Sequence, residues 1–250
     1  QHAQIKGEAM FGLMQDWPLL MHKVLDHAAI QHPGREIISR SVEGPFHQTN
    51  YHDVRLRALR VAQRLQRDGI KLGDRVATLA WNTWRHVEAW YGITGIGAIY
   101  HTVNPRLFPD QIAWILNHAG SRVLMLDLTF IPLIQQLAPK LEHIERFIIL
   151  TDGAHLPETG LRNAVAYEDW LTEADGDFAW ASFDEKTAAG LCYTSGTTGD
   201  PKGVVYSHRS NILHALACNQ VDCLGLGVAD RVMPVVPMFH ANGWSLPISA

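Results

Sequence analysis

The stretch Y-T-S-G-T-T-G-D-P-K-G, residues 193–203, decides how the rest of the chain is read. Two hydroxyl pairs, Thr194-Ser195 and Thr197-Thr198, alternate with Gly196 and Gly199, and Lys202 follows an Asp-Pro. Glycine lets the backbone turn tightly and bring its N–H groups close to a ligand. Successive amides in such a turn make an anion-binding nest, hydroxyls add donors, and a lysine adds charge. That composition suits a loop holding a polyphosphate. A flexible Gly/Ser/Thr linker has a similar composition, but apolar runs flank this loop closely. Ala188 to Tyr193 enters it and Val204-Val205-Tyr206 leaves it. In G-x-x-x-x-G-K-[ST] loops a helix N-terminus supplies the donors. Here Asp200-Pro201 separates Gly199 from Lys202 and a strand-like segment follows, so this is a different phosphate loop.

Working outward, Ser207 is a candidate N-cap for a helix over about 208–218. The apolar run Val232 to Val236 reads as a buried strand leading into Pro237-Met238-Phe239-His240. Upstream, apolar periodicity predicts helices over about 19–31, 52–67, 86–95, 109–119 and 131–138. Strands are predicted over 76–80, 123–126 and 147–150, with a hairpin over 36–49 turning at Gly44-Pro45. Strands alternating with helices of this length argue for a parallel α/β sheet. The five arginines of the second helix (Arg55, Arg57, Arg60, Arg64, Arg67) read as its solvated face. Residues 151–185 carry nine acids against Arg162 alone. They read as a solvated excursion with one short helix over 167–174 and no repeated metal-ligand spacing.

The 250 residues are 47% hydrophobic and 18% charged, with a net charge of −4. That is the composition of a soluble globular protein, and it argues against sequence-independent nucleic-acid binding. Cys192, Cys218 and Cys223 lack metal-ligand spacing, and a reduced cytoplasmic setting is expected. No segment has the length and apolarity of a membrane span, and the N-terminus lacks a signal-peptide pattern. Residues 1–16 read as a leader, with Met10 a possible natural start.

The loop resembles the signature T-S-G-T-T-G-x-P-K-G of the adenylate-forming (AMP-binding) superfamily: acyl-CoA synthetases, luciferases and peptide adenylation domains. The likeness runs from about Trp17 onward. Thr49 to Val54 is similar to its T-x-Y-x-x-[LV] motif, and Gly73-Asp74-Arg75-Val76-Ala77 with Asn82 to its G-D-R-V-A…N element. Gly97 to Leu107 is similar to a segment of fatty-acid ligases. Pro237-Met238-Phe239-His240-Ala241-Asn242-Gly243-Trp244 is similar to P-M-F-H-x-x-[GA]-W at the join of nucleotide and acyl pockets. This version points to the medium- or long-chain fatty acyl-CoA branch.

The resemblance implies layered mixed and parallel sheets packed with helices, as in the superfamily's large N-terminal domain, here 1–250 and incomplete. It implies ATP, Mg²⁺ and coenzyme A as ligands, a small carboxylic acid as substrate, and no nucleic-acid partner. A homodimer is compatible with it. Thr194, Ser195, Gly196, Thr197, Thr198 and Gly199 are then expected to wrap the β- and γ-phosphates, with Thr194 also meeting the metal. Lys202 is expected to balance charge on departing pyrophosphate. His240 is expected to contact the carboxylate or adenylate, and Ala241, Asn242, Gly243 and Trp244 to line the acyl side. On spacing alone His240 reads first as a hydrogen-bonded core histidine, and it is the motif that turns the reading to a substrate contact.

The family's aromatic-Gly-x-Thr-Glu motif, its T-G-D element and its lysine-bearing C-terminal domain are absent from these 250 residues. The isolated chain is therefore expected to be inactive in adenylation. A non-catalytic nucleotide-binding module and a ligase for aryl or short substituted acids remain open as alternatives.

Overall fold

The computed structural model describes residues 12–194 and 200–250. A two-stranded antiparallel hairpin, β1 (Glu36–Arg40) and β2 (Phe46–Asn50), follows helix α1 (His22–Gln31). Helix α2 (Tyr51–Arg67) begins where Asn50 Oδ1 accepts the Asp53 N–H at 2.9 Å, an N-cap that satisfies an otherwise orphan donor. Strands β3 (Arg75–Leu79), β4 (Ile99–Thr102), β5 (Val123–Leu126), β6 (Arg146–Ile149) and β7 (Ala164–Ala166) pair in parallel. Helices α3 (Trp84–Gly95), α4 (Pro109–His118) and α5 (Ile131–Leu137) connect the first four of them, and α6 (Tyr167–Thr172) follows β7. Strand β8 (Ala188–Thr194) is parallel to β4, and β9 (Lys202–Ser207) returns antiparallel along β8 into α7 (His208–Cys218). Helix α8 (Leu246–Ser249) packs near α7.

Among the described residues the sheet order is β7-β6-β5-β3-β4-β8-β9. Its central strands are apolar on both faces because helices cover both. Val76, Met125 and Ile148 pack against α2, α3 and α6. Ala77, Leu79, Leu124, Leu126, Phe147 and Ile149 pack against α4 and α5 on the other side. The chain steps from β3 to β4 by α3 on one face, then back across β3 to β5 by α4 on the opposite face. The loops leaving the carboxyl ends of β3 and β4 therefore diverge. That topological switch point is where open α/β sheets form a crevice.

Two sequence readings are corrected. Val232 to Val236 is not a strand: among the described residues it joins no ladder, and Met233 and Val235 are more than four-fifths exposed. Its carbonyls are bound by a side chain instead, as described below. The arginines of α2 are not simply a solvated face: Arg57 and Arg64 pair with two acids of the 151–185 stretch, most of whose other acids are exposed. Arg57 meets Glu88 at 2.7 Å and Glu168 at 2.9 Å, and Arg64 meets Asp68 and Glu173 at 3.2 and 2.6 Å. Arg67 donates to the Glu173 carbonyl at 2.5 Å. Tyr167, Trp170 and Leu171 of α6 are buried in the same interface. Acids and arginines more than 100 positions apart neutralise one another where α6 docks on α2.

Candidate active site

The glycine-rich loop of the motif joins β8 to β9, whose register closes with the pair Thr194 and Lys202. Ser195, Gly196, Thr197, Thr198 and Gly199 lie outside the described residues. Thr194 and Lys202 are exposed at the rim, and the Thr194 hydroxyl is 3.5 Å from the Lys202 carbonyl. Below them Tyr193 pairs across the hairpin with Gly203. A Cβ placed on Gly203 would stand 3.3 Å from the Tyr193 ring and 3.2 Å from Leu191. The last glycine of the motif thus gives the ring room to lie over the strand. The Tyr193 hydroxyl, its ionisation suppressed by burial, shares a 2.7 Å hydrogen bond with His118 Nδ1 on α4. Because β8 runs parallel to β4, the loop leaves the same carboxyl edge of the sheet at which the switch-point crevice opens.

That crevice is occupied by the chain's own segment 234–245. At the end of β3, Asn82 Nδ2 donates to the carbonyls of Pro234 and Val236, at 3.1 and 2.9 Å. Its Oδ1 accepts the Met238 N–H at 2.8 Å. Neighbouring Trp81 sets its ring 6.1 Å from that of Phe239 and 5.1 Å from that of Phe130. The Trp81 N–H donates to Asp127 at the end of β5, 2.6 Å away. Asp127 is buried, and burial pushes its carboxyl up to about 7 against the opposing pull of that N–H. From β4, Thr102 Oγ1 donates to Asn242 Oδ1 at 2.9 Å.

After His240 the backbone enters a left-handed run: Ala241, Asn242, Gly243, Trp244 and Ser245 have φ of 40, 47, 63, 54 and 56°. Each non-glycine residue there costs about 1–2 kcal/mol, so surrounding contacts must hold it. His240, Ala241 and Trp244 are exposed, Trp244 to 64%. Asn242 and Gly243 are buried, with the Asn242 amide directed at Thr102.

The sequence-predicted residues among those described therefore lie along one sheet edge, in two groups. Sequence reading gave Asn82 no role beyond its motif and did not single out Thr102, Asp127 or His118. Asn82 alone carried a signal, as the distant member of the G-D-R-V-A…N element. Among the described residues, no group of three His, Cys, Asp or Glu side chains is arranged to hold a metal, and no helix is long and apolar enough to cross a membrane.

A mixed α/β sheet with its switch point filled by a side-chain-tethered apolar segment defines the class of domain. The family is settled by comparison: residues 25–250 match the AMP-binding enzyme model, and the chain belongs to that family. It is 45% identical over 238 residues to the 3-methylmercaptopropionyl-CoA ligase of Ruegeria pomeroyi, covering 95% of this chain and 44% of that protein. It is 41% identical to the medium-chain-fatty-acid–CoA ligase of Ectopseudomonas oleovorans, covering 96% of this chain and 44% of that protein. Against a solved long-chain-fatty-acid CoA ligase described as putative, from Rhodopseudomonas palustris, the TM-score is 0.78 at 26% identity, covering 94% of this chain and 55% of that one. The anthranilate CoA ligase AuaEII, solved with anthranoyl-AMP, shares the fold at a TM-score of 0.79 and 24% identity, covering 94% of this chain and 45% of that one. The chain spans less than half the length of these curated relatives.

Proposed function

We propose that this chain supplies the phosphate-binding and acyl-facing parts of an ATP-dependent acid–CoA ligase acting on medium- or long-chain fatty acids. The observation that carries the reading is the shared carboxyl edge: the β8–β9 loop and the His240 segment leave the same side of one sheet. In the reaction, a carboxylate oxygen attacks the α-phosphorus of ATP, pyrophosphate leaves, and an acyl-adenylate forms. The CoA thiol then displaces AMP and gives the thioester. Such chemistry rests on positioning and charge stabilisation rather than on a protein nucleophile.

Loop residues 194–199 hold the β- and γ-phosphates through amides and hydroxyls, and Lys202 offsets the charge of the departing pyrophosphate. Exposed Thr194 and Lys202 at the hairpin rim fit that task. The exposed Thr194 hydroxyl is an oxygen donor of the kind Mg²⁺ prefers; it would be the residue to hold that ion, which would neutralise phosphate charge. His240 contacts the carboxylate, and Trp244 lines the acyl side. Asn242 contributes from beneath, through its buried amide.

A second reading, a short thioether-bearing acid as substrate, is favoured by the identity to the 3-methylmercaptopropionyl-CoA ligases. A coupled CoA-ligase assay of the full-length protein across acid chain length separates the two. Activation of amino acids alone would overturn both. The 250-residue chain by itself is expected to show no ATP–pyrophosphate exchange.

A further inference from the structure

We infer that Thr102 of β4 is a positioning residue that sets where His240 and Trp244 stand against the phosphate loop; this rests on the acyl-site reading above. Thr102 is only 2% exposed, and its hydroxyl reaches two points of the tethered segment: Asn242 Oδ1 at 2.9 Å and the Phe239 carbonyl at 3.4 Å. One proton serves one acceptor, and the shorter contact assigns it to Asn242. Through its backbone Thr102 pairs with Cys192 on β8, two residues before Thr194. It therefore stands between the two halves of the site.

Asn242 sits midway between His240 and Trp244 in the left-handed run, so displacing its amide carries both neighbours with it. Its other side is fixed by shape. Asn242 Nδ2 and the Tyr100 hydroxyl are buried without a well-aligned partner, and both lie 2.6 Å from where a Gly190 Cβ would be. The Tyr100 hydroxyl faces the nitrogen end of the amide, and the Thr102 hydroxyl is the donor that holds its oxygen end. A hydroxyl buried beneath a catalytic segment, rather than in it, moves the acid-facing groups without touching ATP.

The test is ATP–pyrophosphate exchange by the full-length protein carrying Thr102→Val, which keeps the shape and deletes the hydroxyl. The expected result is a rise of about tenfold in the KM for the acid, with the KM for ATP within about twofold of wild type. Thr102→Ser, which restores the hydroxyl, recovers most of the loss. An unchanged acid KM, a parallel rise in both KM values, or no recovery in the serine variant overturns the inference. Should Thr102→Val not fold, Thr102→Ala is compared with Thr102→Ser in the same assay. Failure of both deletions to fold marks a purely structural role and also overturns it. Wild-type protein that exchanges with no acid at all brings down the functional reading itself, and this inference with it.

Discussion

Asn82, at the carboxyl end of β3, binds Met238 156 residues later through a 2.8 Å bond from the Met238 N–H to its side-chain oxygen. With its two bonds to the Pro234 and Val236 carbonyls, one amide side chain does the work of a neighbouring strand. Backbone groups removed from water need partners, and a segment outside any ladder must find them elsewhere. The apolar segment can thus lie across the crevice without joining the sheet, leaving His240 exposed two residues beyond the bonded Met238.

Replacing Asn82 with Ala removes all three bonds. At about 0.5–1.5 kcal/mol each, the expected loss is on the order of 3 kcal/mol, read by urea denaturation. Asn82→Asp keeps the acceptor for Met238 but turns a carboxylate oxygen towards two carbonyls, and its stability should fall nearer to Ala than to wild type. A loss below about 0.5 kcal/mol in both variants would show that the segment is held by its apolar contacts alone.

Strands β3, β5 and β6 and the long helices were legible in the sequence because each has its own apolar period, helped in places by a cap such as Ser207, whose Oγ accepts the Ser210 N–H at 3.0 Å; the short strands β4 and β7 were not read as strands. What was not legible depends on pairs far apart in the chain. Val232 to Val236 has a strand's composition, and nothing local signals that the Asn82 side chain, 152 and 154 positions away from the carbonyls it binds, will meet it. The arginines of α2 look solvated until Glu168 and Glu173 arrive from α6. The motifs were readable as patterns, while Thr102 and Asp127, which bond Asn242 and Trp81 from β4 and β5, carry no local pattern.

Gly190 marks a point of close approach in β8. A Cβ there would stand 2.6 Å from Asn242 Nδ2 and from the Tyr100 ring and hydroxyl. Gly190→Ala is therefore expected to destabilise by about 1–3 kcal/mol through overpacking. Adding Tyr100→Phe, which removes one of the clashing atoms, should recover part of that loss. A double-mutant cycle on thermal unfolding checks it, and strict additivity would contradict the contact.

Asp127 gives the fold a pH dependence opposite in sign to that of a salt-bridged carboxylate. Burial raises its carboxyl from 3.8 in the open chain to about 7 in the folded one. Between these values the folded state binds the proton and the unfolded state does not. The group's stabilising contribution is therefore full below about pH 4 and is lost as pH rises through 7. The full span is on the order of 4 kcal/mol. Asp127→Asn keeps an acceptor for the Trp81 N–H and cannot titrate. Its stability, followed by denaturation from pH 5 to 8, should fall less steeply than that of wild type, and matching slopes would refute the assignment.

Lys202 offers a test in which activity and stability can part. It is exposed at the rim of the β8–β9 hairpin, with its backbone in the ladder opposite Thr194. Truncating such a surface side chain changes folding stability by no more than about 0.5 kcal/mol. If its ammonium faces the leaving pyrophosphate, however, it acts where charge builds up as the bond to phosphorus breaks. Removing one preorganised charge partner from such a position costs about 10²–10³ in rate. Lys202→Ala in the full-length protein should thus unfold at the wild-type urea midpoint while ATP–pyrophosphate exchange falls by about that factor. Lys202→Arg, which keeps the charge but spreads it over a broader fork, should fall between the two. Wild-type exchange in the alanine variant would remove Lys202 from the phosphate site and leave the loop amides and hydroxyls to act without it.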